Sequence, residues 1–275
     1  MLWLLSSAQA QQKFHFSLVP GAEVFSRLEH FSANNTDRER TLRTMLTEAG
    51  CPLDKLVETK VTHSSLPNVV CTIRGDTDRM IVVGAHFDKV HEGEGVADNW
   101  SGAAMLPSLL QSISGSPRRH TFVFVGFTDE EKGLVGSADY VKHMNKEQRA
   151  NVAAIVNLDT LGLAPAEVWA SHADKNLLKA LGTVAAAMKL PVSVMNVDGV
   201  GSSDSESFRE GNMPALTIHS VTPKNFSILH SSKDTLQTVQ RNDYLDTFRL
   251  MCGYLAYLDI YLDQPLTTDT PRKAQ

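Results

Sequence analysis

Three cysteines in 275 residues leave little room for a fold held by disulfides. Cys51, Cys71 and Cys252 form no C-x-x-C pair, and their number is odd. Cys71 lies in an apolar run and Cys252 on a helix face, so both read as buried thiols. Pairing of Cys51 with Cys71 stays open if the chain is exported. No segment approaches the roughly 18 to 20 consecutive apolar residues of a membrane span. Positive charge is also scarce: 26 Lys plus Arg stand against 31 Asp plus Glu, a net of −5, and the longest basic cluster is Pro117-Arg118-Arg119. That balance argues against a nucleic-acid partner. Internal repeats, low-complexity segments and interdomain linkers are missing too, so nothing divides the chain into several domains.

What is present is the composition of an ordinary globular chain, 42% hydrophobic and 21% charged. Leu2–Leu5 read as the end of an apolar leader core, and Ala8-Gln9-Ala10 fits a small-x-small cleavage site. The expectation is a signal-peptide remnant or tail at 1–20, one domain at 21–263 and a disordered tail at 264–275, in a periplasmic or secreted protein. Asn34-Asn35-Thr36, Asn99-Trp100-Ser101 and Asn225-Phe226-Ser227 match the short glycosylation pattern.

Residues 21–48 read as one or two helices ending at Gly50. Apolar runs with little alternation follow at 68–73, 80–85, 121–127, 152–158 and 215–219, as expected of strands buried on both faces. Helical stripes lie between and after them: Ala103, Leu106, Leu109, Leu110 and Ile113; the segment 174–189; and Leu245, Phe248, Cys252, Leu255, Leu258 and Leu262. Strands alternating with helices predict an α/β sandwich around a largely parallel sheet.

Polar residues collect where strands end. His86 and Asp88 follow the 80–85 run, Asp129, Glu130 and Glu131 follow 121–127, and Asp159 follows 152–158. The carboxyl edge of an open α/β sheet is where ligands bind, so these groups are expected to share one crevice. Carboxylates gathered there repel one another unless cations neutralise them. A pair of divalent ions bridged by one carboxylate does this well, and His plus carboxylate ligands suit zinc. Of the candidates in the 84–104 stretch, His86 follows a strand and has a carboxylate two residues on, so it is preferred over His91. Glu92 and Glu94 are left to the loop.

The segments Gly84-Ala85-His86-Phe87-Asp88, Ala97-Asp98-Asn99-Trp100-Ser101-Gly102, Asp129-Glu130-Glu131-Lys132-Gly133, Asn157-Leu158-Asp159 and Leu229-His230-Ser231 resemble, in order, the motifs of the M28 family of zinc aminopeptidases. The resemblance implies a three-layer α/β/α sandwich around a mixed, mostly parallel sheet. It implies two zinc ions, one held by His86 and Asp159, the other by Glu131 and His230, with Asp98 bridging. Glu130 is then the general base and Asp88 orients the His86 ring. The implied activity is removal of N-terminal residues from peptides by a water that Glu130 deprotonates.

Two alternatives stand beside it: a single-zinc glutaminyl-peptide cyclotransferase, and an inactive binding ectodomain of the same fold. No tyrosine stands in Val200-Gly201-Ser202-Ser203-Asp204, where some relatives carry one to polarise the carbonyl. Asp204 is expected to cap a short helix at 206–210, Ser203 or Asp204 to support a ligand, and His219 to be an ordinary strand-end imidazole. His15, His30, His63, His120, His143 and His172 read as incidental.

Overall fold

The computed structural model describes residues 16–199 and 201–262. The leader-like segment 1–10 and the tail 264–275 lie outside the described residues. Residues 16–20 lie outside any helix or strand and against the body: Ser17 N–H donates to Ser112 O at 2.9 Å, and Val19 is buried.

The apolar runs fold as expected. β1 (Leu56–Thr59) and β2 (Asn68–Ile73) precede the long strands β3 (Met80–His86), β4 (Thr121–Phe127) and β5 (Val152–Leu158). Three shorter strands follow: β6 (Ala166–Val168), β7 (Val192–Val194) and β8 (Ala215–His219). They form one sheet in the order β1-β2-β4-β3-β5-β8-β6-β7. The middle four, β4, β3, β5 and β8, are parallel, while β1–β2, β2–β4 and β6–β8 pair antiparallel. The sheet is therefore mixed and mostly parallel.

Alternate residues of the long strands serve different cores. Ile81, Val83 and Ala85 face a large core with α1 (Gly21–Glu29), α2 (Asn35–Glu48), α3 (Ser101–Ser114), and the later helices α6 (Lys175–Met188) and α8 (Arg241–Tyr261). Val82, Val123 and Val125 face a smaller core that takes Val141 from α4 (Val135–His143) and Phe208 from α7 (Ser205–Glu210). The short helix α5 (Lys146–Asn151) leads into β5. The three layers follow from this two-sided burial.

Two close approaches fix the site's scaffold. At Gly102 an added Cβ meets Leu158 O at 2.5 Å, so α3 reaches the end of β5 only because this residue has no side chain. Cys51 and Cys71 are joined in a disulfide, with Cα atoms 6.1 Å apart, which ties the chain after α2 to β2. Of the glycosylation matches, Asn99 is fully buried and Asn225 nearly so, whereas Asn34 is exposed and caps α2.

Candidate metal centre

Parallel pairing of β4, β3, β5 and β8 brings their carboxyl ends to one edge, and the predicted residues meet there. His86 is the last residue of β3 and only 1% exposed. Its Nε2 lies 3.4 Å from Asp98 Oδ1, 3.8 Å from Asp159 Oδ1 and 4.0 Å from Glu130 Oε2. His230 Nε2 lies 3.2 Å from Asp98 Oδ2 and 3.0 Å from Glu131 Oε2. His86, Asp98 and Asp159 form one group with ligand atoms within 4.8 Å of one another, and Asp98, Glu131 and His230 form another. His91, by contrast, points into solvent with its side chain 99% exposed.

The backbone is turned sharply around these groups. Asp129, Thr160 and His230 are non-glycine residues in the left-handed region, with φ of 54°, 56° and 53°. Such conformations gather where a site dictates side-chain direction. Asp98 sits in a wide helical turn (Val96–Trp100) with non-helical φ/ψ, just ahead of α3. It does not cap α3, whose first turn is served instead by Asn99, accepting from Gly102 N–H at 3.0 Å.

The electrostatics show a site that demands positive charge. Burial alone raises Asp98, yet hydrogen bonds from His230 and His86 hold it well below the usual carboxylate range. Burial lowers His86, but Glu130, Asp159, Asp88 and Asp98 drive it well above the ordinary imidazole value. Hydrogen bonds to Asp98 and Glu131 raise His230 to about 10. Burial, reinforced by Asp204, Asp159 and Asp98 against His86, pushes Glu130 up to about 10. A divalent cation meets the same demand. Glu131 Oε1 is buried without a hydrogen-bond partner in the protein, a polar atom free to serve a ligand. The donor set of imidazole nitrogens and carboxylate oxygens therefore fits zinc.

Residues 68–255, well over half of the chain, match the model of peptidase family M28. The chain belongs to this family. A probable leucine aminopeptidase of Arthroderma benhamiae is 25% identical over 202 residues, covering 68% of this chain and 56% of that protein. The chain spans about half or less of the length of the curated relatives it matches. Among solved structures, LapB from Legionella pneumophila aligns with a TM-score of 0.77 at 18% identity, over 88% of this chain and 73% of its own. A glutaminyl cyclase from an Acidobacteriales bacterium aligns with a TM-score of 0.75 at 15% identity, over 92% and 99%. These two likenesses concern the fold.

In this M28 chain the groups around the five candidate ligands are built more tightly than their motifs suggest. Asp88 was expected to orient His86 through its carboxylate. The His86 Nδ1 lies 3.5 Å from the Asp88 carboxylate Oδ1 and also 3.2 Å from the Asp88 backbone carbonyl, so both oxygens of this residue face the ring. A carbonyl fixes the tautomer as well as a carboxylate does. The Asp88 carboxylate accepts the N–H groups of Glu130 (3.1 Å) and Glu131 (3.3 Å), so one residue holds both motifs. Ser203 donates to Asp159 Oδ2 at 2.8 Å and accepts from Asn157 Nδ2 at 2.7 Å. The expected capping role of Asp204 fails: it makes no bond to the α7 amides, is fully buried, and burial pushes its carboxyl up to about 7. Its chain sits in helical backbone, so the carboxylate does not swing back over the first turn.

A cavity of about 570 Å³ opens over these groups, with Trp169, Val221, Phe226 and Leu229 among its walls. His219 also lines it, beyond its expected ordinary role. Both of its nitrogens are engaged, Nε2 with Met195 O at 2.9 Å and Nδ1 accepting from Val221 N–H at 3.1 Å.

Proposed function

We propose that this chain is a zinc-dependent aminopeptidase that holds two ions. His86 and Asp159 would hold one, Glu131 and His230 the other, with Asp98 between them. The observation that carries this reading is the split allegiance of Asp98, whose Oδ1 faces His86 and Oδ2 faces His230. A single carboxylate that serves two donor groups suits a pair of ions. Bound zinc supplies Lewis acidity, lowering the pKa of water and polarising a carbonyl.

The chain's own residues do the rest. Glu130, mostly buried at the cavity wall, would be ionised once the charge of bound cations offsets the carboxylates that raise it. Its carboxylate then takes the proton of the attacking water and returns it to the leaving amine. Asp88 holds the Glu130 backbone in place for that transfer. The walls formed by Trp169, Val221, Phe226 and Leu229 favour an apolar N-terminal side chain. The leader-like 1–10 segment and the Cys51–Cys71 disulfide support export to an oxidising compartment, a reading that cell fractionation tests.

Glu130→Gln tests the chemistry. Turnover of aminoacyl-nitroanilides is expected to fall about 10²- to 10⁴-fold with zinc content unchanged. Wild-type turnover in that variant overturns the role of Glu130. One tightly bound zinc together with cyclisation of an N-terminal glutaminyl peptide makes the chain a cyclotransferase instead.

A further inference from the structure

Helix α2 lies ahead of the family match, which begins at residue 68, and offers no ligand to the metal centre. Its Arg38 is nevertheless fully buried. Burial lowers that guanidinium to about 10, so it keeps its charge near neutral pH. Burying a cation is costly unless its donors are well used. Here they go to main-chain oxygens. Nε donates to Ser32 O at 2.6 Å and Nη1 to Phe87 O at 3.2 Å. Nη2 donates to Glu94 O at 2.5 Å and Gly95 O at 2.9 Å. The guanidinium also lies 5.5 Å from the centre of the Trp100 ring.

Three of those carbonyls, of Phe87, Glu94 and Gly95, flank the two ends of one loop. Phe87 stands between His86 and Asp88, and Gly95 opens the turn that carries Asp98. One turn earlier on α2, Asn35 grips the same loop: Lys89 N–H donates to Asn35 Oδ1 at 3.2 Å, and Asn35 Nδ2 to Lys89 O at 3.3 Å. The fit is close, since a Cβ added at Gly95 meets Arg38 Nη2 at 3.1 Å and Lys89 Cβ at 2.7 Å, at a φ of +61°.

We propose that α2 is a positioning element of the metal centre, with Arg38 and Asn35 clamping the 87–95 loop and so setting the span between His86 and Asp98. Neither residue touches substrate. Each acts through the loop, so its loss misplaces ligands rather than removing one. The inference rests on the zinc reading above.

The test uses the full chain with Arg38→Lys, Asn35→Ala and the exposed control Arg40→Lys, each checked for folding by circular dichroism. Lysine keeps the charge but has no fork to span carbonyls on both ends of the loop. Co²⁺ titration is expected to show an altered visible spectrum and affinity about 10-fold weaker for Arg38→Lys. Its kcat is expected to fall about 10- to 100-fold with KM little changed. Asn35→Ala should shift the same quantities less, and Arg40→Lys not at all.

A folded Arg38→Lys with the wild-type cobalt spectrum, affinity and kcat overturns the proposal. If Arg38→Lys does not fold, the half-buried Asn35 decides: an unchanged spectrum and kcat in Asn35→Ala overturn it, and a shift supports it. Wild-type protein that binds Co²⁺ but hydrolyses no nitroanilide defeats the peptidase reading alone, because the spectra still test the clamp.

Discussion

A side chain proposed as a metal ligand is only as good as the groups that hold it still, and around Asp159 those groups are small and neutral. Asp159 accepts from Ser203 on Oδ2 and from Thr160 Oγ1, at 3.1 Å, on Oδ1. Ser203 is itself fixed by Asn157 from the same strand that delivers Asp159. Loss of such a partner typically weakens metal binding about 10- to 100-fold. Ser203→Ala is therefore expected to raise the zinc dissociation constant by that factor, read by chelator competition, while the thermal midpoint of the metal-free protein changes little. An unchanged zinc affinity removes Ser203 from the support of Asp159. Asp88 works in the opposite direction, from carboxylate to backbone, and joins the β3 end to the Glu130-Glu131 turn.

Elements show which signals sequence carries. The long strands β3, β4 and β5 are buried on both faces, so their composition announces them. β1, β6 and β7 are three or four residues long, and β7 is mostly exposed, so no pattern marks them. His86, Glu131 and Asp159 could be picked out at the ends of apolar runs, and Asp98 and His230 because their ordered motifs resemble a family. Arg38 and Asn35 could not, because their partners are backbone atoms some fifty residues away and leave no trace in side-chain type.

The same blindness hides the anchor of α8. Asp259 accepts the N–H groups of Arg119 and His120 at 3.0 and 2.7 Å and lies 3.2 Å from His120 Nδ1, fastening the last helix to the start of β4. Burial raises this carboxyl, but the bonds from His120 and Arg119 outweigh it and hold it below the ordinary value of 3.8. A depressed folded-state pKa contributes stability above the unfolded pKa and loses it as pH falls through the folded one. Asp259→Asn is thus expected to lower stability by about 1–3 kcal/mol at pH 6. The gap to wild type should narrow as the pH drops below about 4. Denaturant melts at the two pH values check this, and a gap that stays constant refutes the ionic role.

At the scale of the whole molecule, the site draws on pieces that the sheet alone does not hold together. β3, β4 and β5 supply His86, Glu130, Glu131 and Asp159, while α2 reaches in from outside the sheet to hold the 87–95 loop. The Cys51–Cys71 disulfide closes the chain between the end of α2 and β2 across a separation of 20 residues. By loop-closure entropy such a link contributes about 3 kcal/mol. Because α2 is the element it tethers, its loss should loosen the centre as well as the fold. The expected outcome of reduction, or of Cys51→Ser with Cys71→Ser, is a thermal midpoint lower by about 6–12 °C. Zinc affinity should fall with it. Cys252 does not confuse the measurement, since it is buried and burial pushes its thiol up to about 12, leaving it unreactive in the native protein. A reduced protein that melts lower yet binds zinc with undiminished affinity separates the two effects, and shows that β2 is held by the bond while α2 keeps its grip without it.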